Sequence, residues 1–592
     1  MMDTRRLILF FIFSFSLVML WEAWQKQQAA LHPPAAASAA GQSQPGQPGI
    51  PAAPGGIPQP SSLGTPAAAP GSVPPPPGAA PVAQAAAVPA DQKVVVKTDV
   101  MTAEIVTQGA DLRYVALTQH KDVADKDKDL VLLGDHHFYA QTGLQATGVN
   151  LPSHLTPFVL TPGTFELKPG EESVKVRAEA VAGAVKIAKI YTFHRGSYAI
   201  DVNYEIVNGG TTAIAPSAYL QLVRDDKAPA GETQFMQTFT GAAFYTEKEH
   251  FKKEEFKKFK ELPTGPKAEP GPVEPANNGW VAIVQHYFTS AWLPQGNQQR
   301  EFYAYNLKDG LYSAGVYMAV GNIAPGATGS LAAKLYVGPE DVDIMEKLAP
   351  GLERVKDYGW LTIIAQPMYQ LLKFLHGYLG NWGLSIIALT LIIKGIFFPL
   401  SAASYKSMAR MKKVTPKMTA IREKYANDRV KMNQAMMELY KTEKINPLGG
   451  CLPIVIQIPV FISLYWALLA TVEMRHATFY GWITDLSAPD TLFGTLSIPL
   501  TNIHMPIGLL PIIMAISMFL QTKMNPAPPD PVQAKMMAIM PLVFSIFFFF
   551  FPAGLVLYWV VNNVLSIAQQ WSISRLVAKG DAKAEAAPPK KR

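Results

Sequence analysis

The chain has 592 residues, 16% of them charged and 49% hydrophobic, with a net charge of +7. Length alone allows about four domains. Charge lies well below the roughly 25% of an average soluble protein, and apolar runs gather in 383–571, which excludes one soluble globular domain. The single cysteine, Cys451, excludes a disulfide framework and any Cys-rich zinc or iron–sulfur site.

Arg5 and Arg6 precede an apolar run over 7–20, and Trp21 and Trp24 follow it. Basic residues before such a run hold the N-terminus in the cytoplasm, and tryptophans favour the opposite interface. Residues 1–28 therefore read as an uncleaved signal-anchor helix. The alternative is a cleaved signal peptide, whose small-residue site occurs only downstream, at 35–40. No lipobox cysteine is present, so a lipoprotein is excluded. Residues 31–90 carry no charge and 16 of the 49 prolines. Such a composition cannot offset ordering entropy. Residues 29–90 read as a disordered Ala/Pro/Gly linker, semi-rigid where proline clusters at 74–77.

Residues 91–350 change character. Val94-Val-Val96, 100–106, 174–176, 185–193 and 198–207 are β-rich or alternating, with turn signals such as Asn208-Gly-Gly between them. Many short strands at this spacing predict a large all-β sandwich, and some 250 residues can hold a core without disulfides. The charge-dense segment 247–261 reads as a solvated helix or loop on the sheet.

The segment 351–382 contains an amphipathic stretch with Leu361, Ile364, Met368, Leu371, Leu372 and Leu375 at helical spacing. A second span over 383–401 follows it. The loop after that, 402–450, carries 11 Lys or Arg against four acids. It belongs inside by the positive-inside rule. Residues 351–382 then form an interfacial helix on the outer side. Four further spans are read within 451–571, at 451–471, 505–522, 535–551 and 555–571. The loop 472–504 has one Arg and no Lys, and the tail 572–592 has six Lys or Arg. The fold class is thus a polytopic α-helical membrane protein of six spans, both termini cytoplasmic, with a large outer β domain.

In 402–450, Met408, Met411, Val414, Met418, Ile421 and Tyr425 recur at helical spacing, as do Met432, Met436 and Leu439. Asn427-Asp428 separates the stripes, and Asp caps helices. A helical hairpin follows, with an apolar seam and a basic outer face. Either the methionines are its core, or they form a face that grips varied hydrophobic helices. Met408, Met411 and Met418, with Lys412, Lys413 and Arg422, are its candidate contacts. The basic face and tail suit anionic lipid head groups or ribosomal RNA.

Lys394 is the most informative residue. A cation at a helix centre costs about 2.5–3.5 kcal/mol, so it marks a functional site. Snorkelling is the bland alternative, with the helix end about eight residues, roughly 12 Å, away. Thr390 lies one turn back on the same face. Gln457, Asn562 and Asn563 add polar groups at similar depth and suggest a wet cavity, although each can also serve helix packing. Pro399, Pro453, Pro459, Pro511 and Pro541 suit kinked, loosely packed helices. No GxxxxGK[ST] loop, HExxH or GxSxG motif occurs in the membrane region. Neither nucleotide use, cofactor nor metal is expected.

Two sequence blocks resemble the YidC/Oxa/Alb family of membrane protein insertases in its Gram-negative form. One is Asn446-Pro-Leu-Gly-Gly-Cys451-Leu452-Pro453 with Gln457-Ile458-Pro459. The other is Phe551-Pro-Ala-Gly-Leu-Val-Leu-Tyr558-Trp559. Lys394-Gly395 with Phe398-Pro399-Leu400 adds to the match. The resemblance implies five core helices around a hydrophilic groove and an outer, periplasmic β-supersandwich. Its groove positions fall on Lys394, Thr390, Gln457 and Trp559. The family's basic groove residue is usually arginine, so bidentate pairing with a carboxylate is lost here while the charge is kept. Implied partners are nascent membrane proteins, the Sec translocon (SecYEG and SecDF), the ribosome and anionic lipids, with no DNA. The implied function is insertion and folding of proteins of the bacterial inner membrane, without nucleotide hydrolysis and without an enzyme's chemistry. A secondary transporter and a tethered periplasmic carbohydrate-binding protein are the alternatives.

Overall fold

The computed structural model describes residues 92–585 except 124, 135–136, 230, 233–237, 265–271, 427, 444–451, 498–503 and 526–530. The anchor at 1–28, the linker at 29–90, Asn446–Cys451 and the last seven residues lie outside the described residues.

Residues 93–339 form two nine-stranded sheets. The first runs Arg300–Asn306, Leu311–Ala319, Ser217–Asp225, Tyr139–Gln145, Leu112–Lys121, Met101–Val106, Lys93–Lys97, Gly163–Glu166, with Asp129–Leu133 beside Leu112–Lys121. The second runs His250–Glu255, Gly241–Thr246, Trp280–Gln285, Phe288–Pro294, Thr328–Pro339, Ala199–Asn208, Val185–His194, Ser173–Ala182, Val159–Leu160. Pairing is antiparallel except between Lys93–Lys97 and Gly163–Glu166. Alternation in sequence becomes alternation in burial, as in Met101–Val106, because successive side chains leave opposite faces. The inner faces share one apolar core. Polar groups also tie the layers: Trp292 Nε1 donates to Gln221 O at 3.0 Å, and Tyr191 OH to Ala110 O at 2.6 Å.

The segment 247–261 differs from its reading. His250–Glu255 is an edge strand, and Phe256–Glu261 a one-and-a-half-turn helix. Phe256 and Phe259 are buried against Tyr312, with ring centroids 5.4 and 6.2 Å apart. The lysines and glutamates of the strand shield a sheet edge from further pairing.

Beyond the sandwich and the short helix Val342–Leu348, eight longer α-helices are seen among the described residues: α1 (Thr362–Leu379), α2 (Trp382–Ile396), α3 (Phe398–Lys424), α4 (Arg429–Thr442), α5 (Leu452–Leu469), α6 (Leu509–Met524), α7 (Pro531–Phe548) and α8 (Ala553–Glu585). Helix α8 is the hub and packs on α2, α3, α5 and α6. It continues through much of the stretch read as a tail, whose Ala, Lys and Glu are good helix formers. The apolar stripe of α1 packs against the helical core through Met368, Leu371 and Leu375. Ile363, Phe374 and Tyr378 form a second, exposed apolar set.

Among the described residues no single helix is long and apolar enough to cross a membrane alone; α2 and α3 pass together but bend by 67°. The run read as one span over 383–401 is therefore broken, at Phe397. The cause is local: Pro399 sits in the first turn of α3, where it has no N–H for the carbonyl of Gly395 and its ring crowds that carbonyl, so the helix of α2 does not run on unbroken.

The sandwich and the helices are joined by two histidines. The His286-Tyr287 hairpin turn reaches the end of α5, where His286 Nε2 donates to Leu469 O at 3.0 Å. From the loop after α5, His476 Nε2 donates to Lys121 O at 3.2 Å. Burial lowers His286 to a pKa of about 4. Unfolded, it titrates near 6.5. Between those values the unfolded chain binds the extra proton, so stability falls as pH drops from about 6.5 towards 4. Thermal unfolding against pH measures this, and His286→Gln is expected to flatten the slope.

Candidate functional site

The site is built on α2, α5 and α8. Lys394 lies in the last turn of α2, 5% exposed. Its Nζ donates to Ser566 Oγ on α8 at 2.7 Å. Ser566 in turn donates to Asn562 O at 2.7 Å. Asn562 Oδ1 accepts from Gln457 Nε2 of α5 at 2.9 Å. Lys394 and Gln457 line one cleft of 10 Å³ with Ile393, Phe397, Leu400 and Ser401, about the room one water needs. Polar contact continues along α8: Asn563 Nδ2 donates to Ser517 Oγ of α6 at 3.1 Å, and Gln570 Nε2 to Asn525 Oδ1 at 3.1 Å.

This arrangement brings Lys394 and Gln457 together and leaves two candidates apart. Thr390 is buried, but its hydroxyl donates to Ile386 O of its own helix at 2.6 Å. Trp559 packs edge-on against Phe461, centroids 4.3 Å apart, and beside Phe548 at 5.0 Å. Among the described residues its indole N–H has no hydrogen-bond partner. Ser566, Ser517 and Gln570 were missed in the sequence. The spacing of four through 562, 566 and 570 is the signal that finds Ser566 and Gln570, since it puts them on one helix face with Asn562; Ser517, on α6, carries no such signal.

The nitrogen of Lys394 ends on a buried serine of α8. Among the described residues it has no carboxylate partner. A buried cation held only by a neutral hydroxyl is under-compensated.

In the hairpin, Val414 and Met418 are buried, with Met411, Met436, Leu439 and Tyr440 against them. The methionine stripe is thus the seam between α3 and α4. Lys417 pairs with Glu443 across it at 2.6 Å. Asp428 caps α4 through Lys431 N at 3.0 Å. Lys412 and Lys413 are exposed, while Met408 and Arg422 are half-buried.

Comparison with known proteins settles the lineage. Residues 374–580 match the family model of the 60Kd inner membrane protein, and 93–371 that of the YidC periplasmic domain. The membrane protein insertase YidC of Aromatoleum aromaticum is 49% identical over 97% of this chain and 98% of its own length. The chain belongs to the YidC membrane protein insertase family. That of Cupriavidus taiwanensis is 50% identical over 98% of this chain and 99% of its own. A crystal structure of an active YidC insertase with its first transmembrane domain resolved is 18% identical, with a TM-score of 0.37, covering 81% of this chain and 92% of that one. The YidC family consists of insertases rather than enzymes and sits in the inner membrane with a periplasmic domain.

Proposed function

We propose that the chain inserts nascent proteins into the inner membrane by holding their outer segment at the polar face of α8. The observation that carries this reading is Lys394, buried without a counter-charge among the described residues. A short polar segment enters the cleft from the cytoplasm, and its carboxylates supply the charge that Lys394 lacks. The Lys394–Ser566–Asn562–Gln457 chain offers exchangeable hydrogen bonds in place of water. The neighbouring apolar segment slides into lipid, with a driving force of about 25 cal/mol per Å² buried. That partitioning carries the outer segment across, so no nucleotide is needed.

The spans proposed for this task are 1–28, 383–401 and four within 451–571, with both termini cytoplasmic. The α3–α4 hairpin, through Met408, Lys412, Lys413 and Arg422 on its outside and with Met411 and Met418 holding its seam, and the basic tail meet the ribosome and anionic lipids. The sandwich meets the Sec translocon. Thr390 and Trp559 shape the groove, by keeping α2 apolar and by stacking, rather than by bonding substrate.

A photocrosslinker at Gln457, set against one at a lipid-facing position of α8, tests the path. Crosslinks to a stalled nascent membrane protein are expected from Gln457, strongest when only its first apolar segment has emerged. Insertion that persists without any crosslink there moves the working surface to the outer faces of the helices.

A further inference from the structure

A second polar site lies far from Lys394. A cavity of 850 Å³ separates the sandwich from the outer ends of the helices. Its walls include the His286-Tyr287 turn, the loop from Arg475 to Leu492, and Ala553 at the start of α8. Arg475 is its anomaly. Both terminal nitrogens, Nη1 and Nη2, are shut off from solvent, and neither has a hydrogen-bond partner among the described residues. The guanidinium lies over Phe288, 5.3 Å from the ring centroid. That contact uses its face and leaves the in-plane N–H donors unspent.

The acids of the cavity are already engaged. Asp485 accepts from His476 N, Ser487 N and Ser487 Oγ. Asp490 accepts from Trp482 Nε1, Leu492 N and Leu510 N. Asp122 accepts from Asp125 N. Arginine does not escape by losing its proton. Burial pushes the group down from its ordinary value, Tyr287, Asp485 and Asp122 offset this in part through space without a hydrogen bond to its terminal nitrogens, and it remains a cation. The backbone around it is also strained. Tyr287 has φ 69° and His476 φ 58°, left-handed angles that side chains rarely adopt. Strain of this kind gathers at ligand clamps.

We propose that this cavity is an anion site, in which the planar N–H fork of Arg475, its face resting on Phe288, takes a carboxylate or a phosphate. The oxyanion has two sources: a free small anion, or an acidic side chain of a segment leaving the helices past Leu469 and Ala553. Only the second source rests on the insertion reading above.

The test uses the full chain in lipid nanodiscs. Succinate and inorganic phosphate are expected to raise its unfolding temperature. Arg475→Gln is expected to weaken that response about tenfold or more, the loss of a charge-assisted bond. Arg475→Lys keeps the charge without the fork and falls between. A crosslinker at Thr484, on the cavity wall, is run with nascent chains whose outer segment carries Asp or Asn. A crosslink that needs Asp and is competed by succinate assigns the site to the translocated segment. An anion response with an Asp-indifferent crosslink assigns it to free anions. No anion response in the unaltered protein, with no Asp dependence, overturns the proposal and leaves Arg475 to water. These arms decide even where Arg475→Gln fails to fold. The Gln457 crosslink, run alongside, reports the groove separately.

Discussion

Lys394→Ala is expected to reduce insertion of substrates with an acidic outer segment by about ten- to a hundredfold, while Lys394→Arg keeps it within a few fold. A hydrogen bond to a charged group contributes about 1.5–3 kcal/mol, which sets that range. Arginine retains the cation and regains a carboxylate-matching fork, although its bulk must displace the contact with Ser566. Substrates whose outer segment carries only Asn and Gln are expected to insert equally well with all three residues. Protease protection of a reporter on the outer segment measures both classes. Equal impairment of acidic and neutral substrates would remove the charge from the mechanism and leave Lys394 a packing residue.

Trp292→Ala is expected to destabilise the sandwich by about 3–5 kcal/mol, the range for deleting a buried aromatic. Trp292 is 1% exposed, and its indole N–H reaches the facing sheet at Gln221 O. The substitution removes both a large part of the core and one of the bonds between layers. Pulse proteolysis of the full chain in urea reads the loss. Lys257→Ala, on an exposed charged turn, is the control and is expected to change stability by less than about 0.5 kcal/mol. A loss at Trp292 no larger than the control would show that the layers are held elsewhere.

The sandwich was legible because its strands are β-rich or alternating: 100–106, 185–193 and 198–207 each became a strand within a residue or two of the expected ends. The segment 247–261 was not, because its charges belong to an edge strand and so resemble a solvated helix. Only the facing Tyr312 makes Phe256 and Phe259 core residues. Lys394 and Gln457 stood out as polar groups in apolar runs. Ser566 and Ser517 did not. A serine in a helix is ordinary until the packing of α8 against α2 and α6 shows what it faces. The same limit applies to Arg475, whose exposure is decided by a domain some two hundred residues earlier in the chain. The break at Phe397 was partly visible in Pro399, but a proline in an apolar run signals a kink without its angle.

That break has a mechanical consequence. Helix α3 has 27 residues, hence a length of about 40 Å, and it meets α2 at one residue, three positions beyond Lys394. A rotation of about 5° at Phe397 swings the far end by about 3.5 Å over that length, yet scarcely moves Lys394 itself. Read in reverse, the hairpin is a long lever with a short load arm. A weak push at its tip, from whatever docks there, is multiplied into torque on the turn that presses Lys394 against Ser566, and that turn is where the cleft must part to admit a chain.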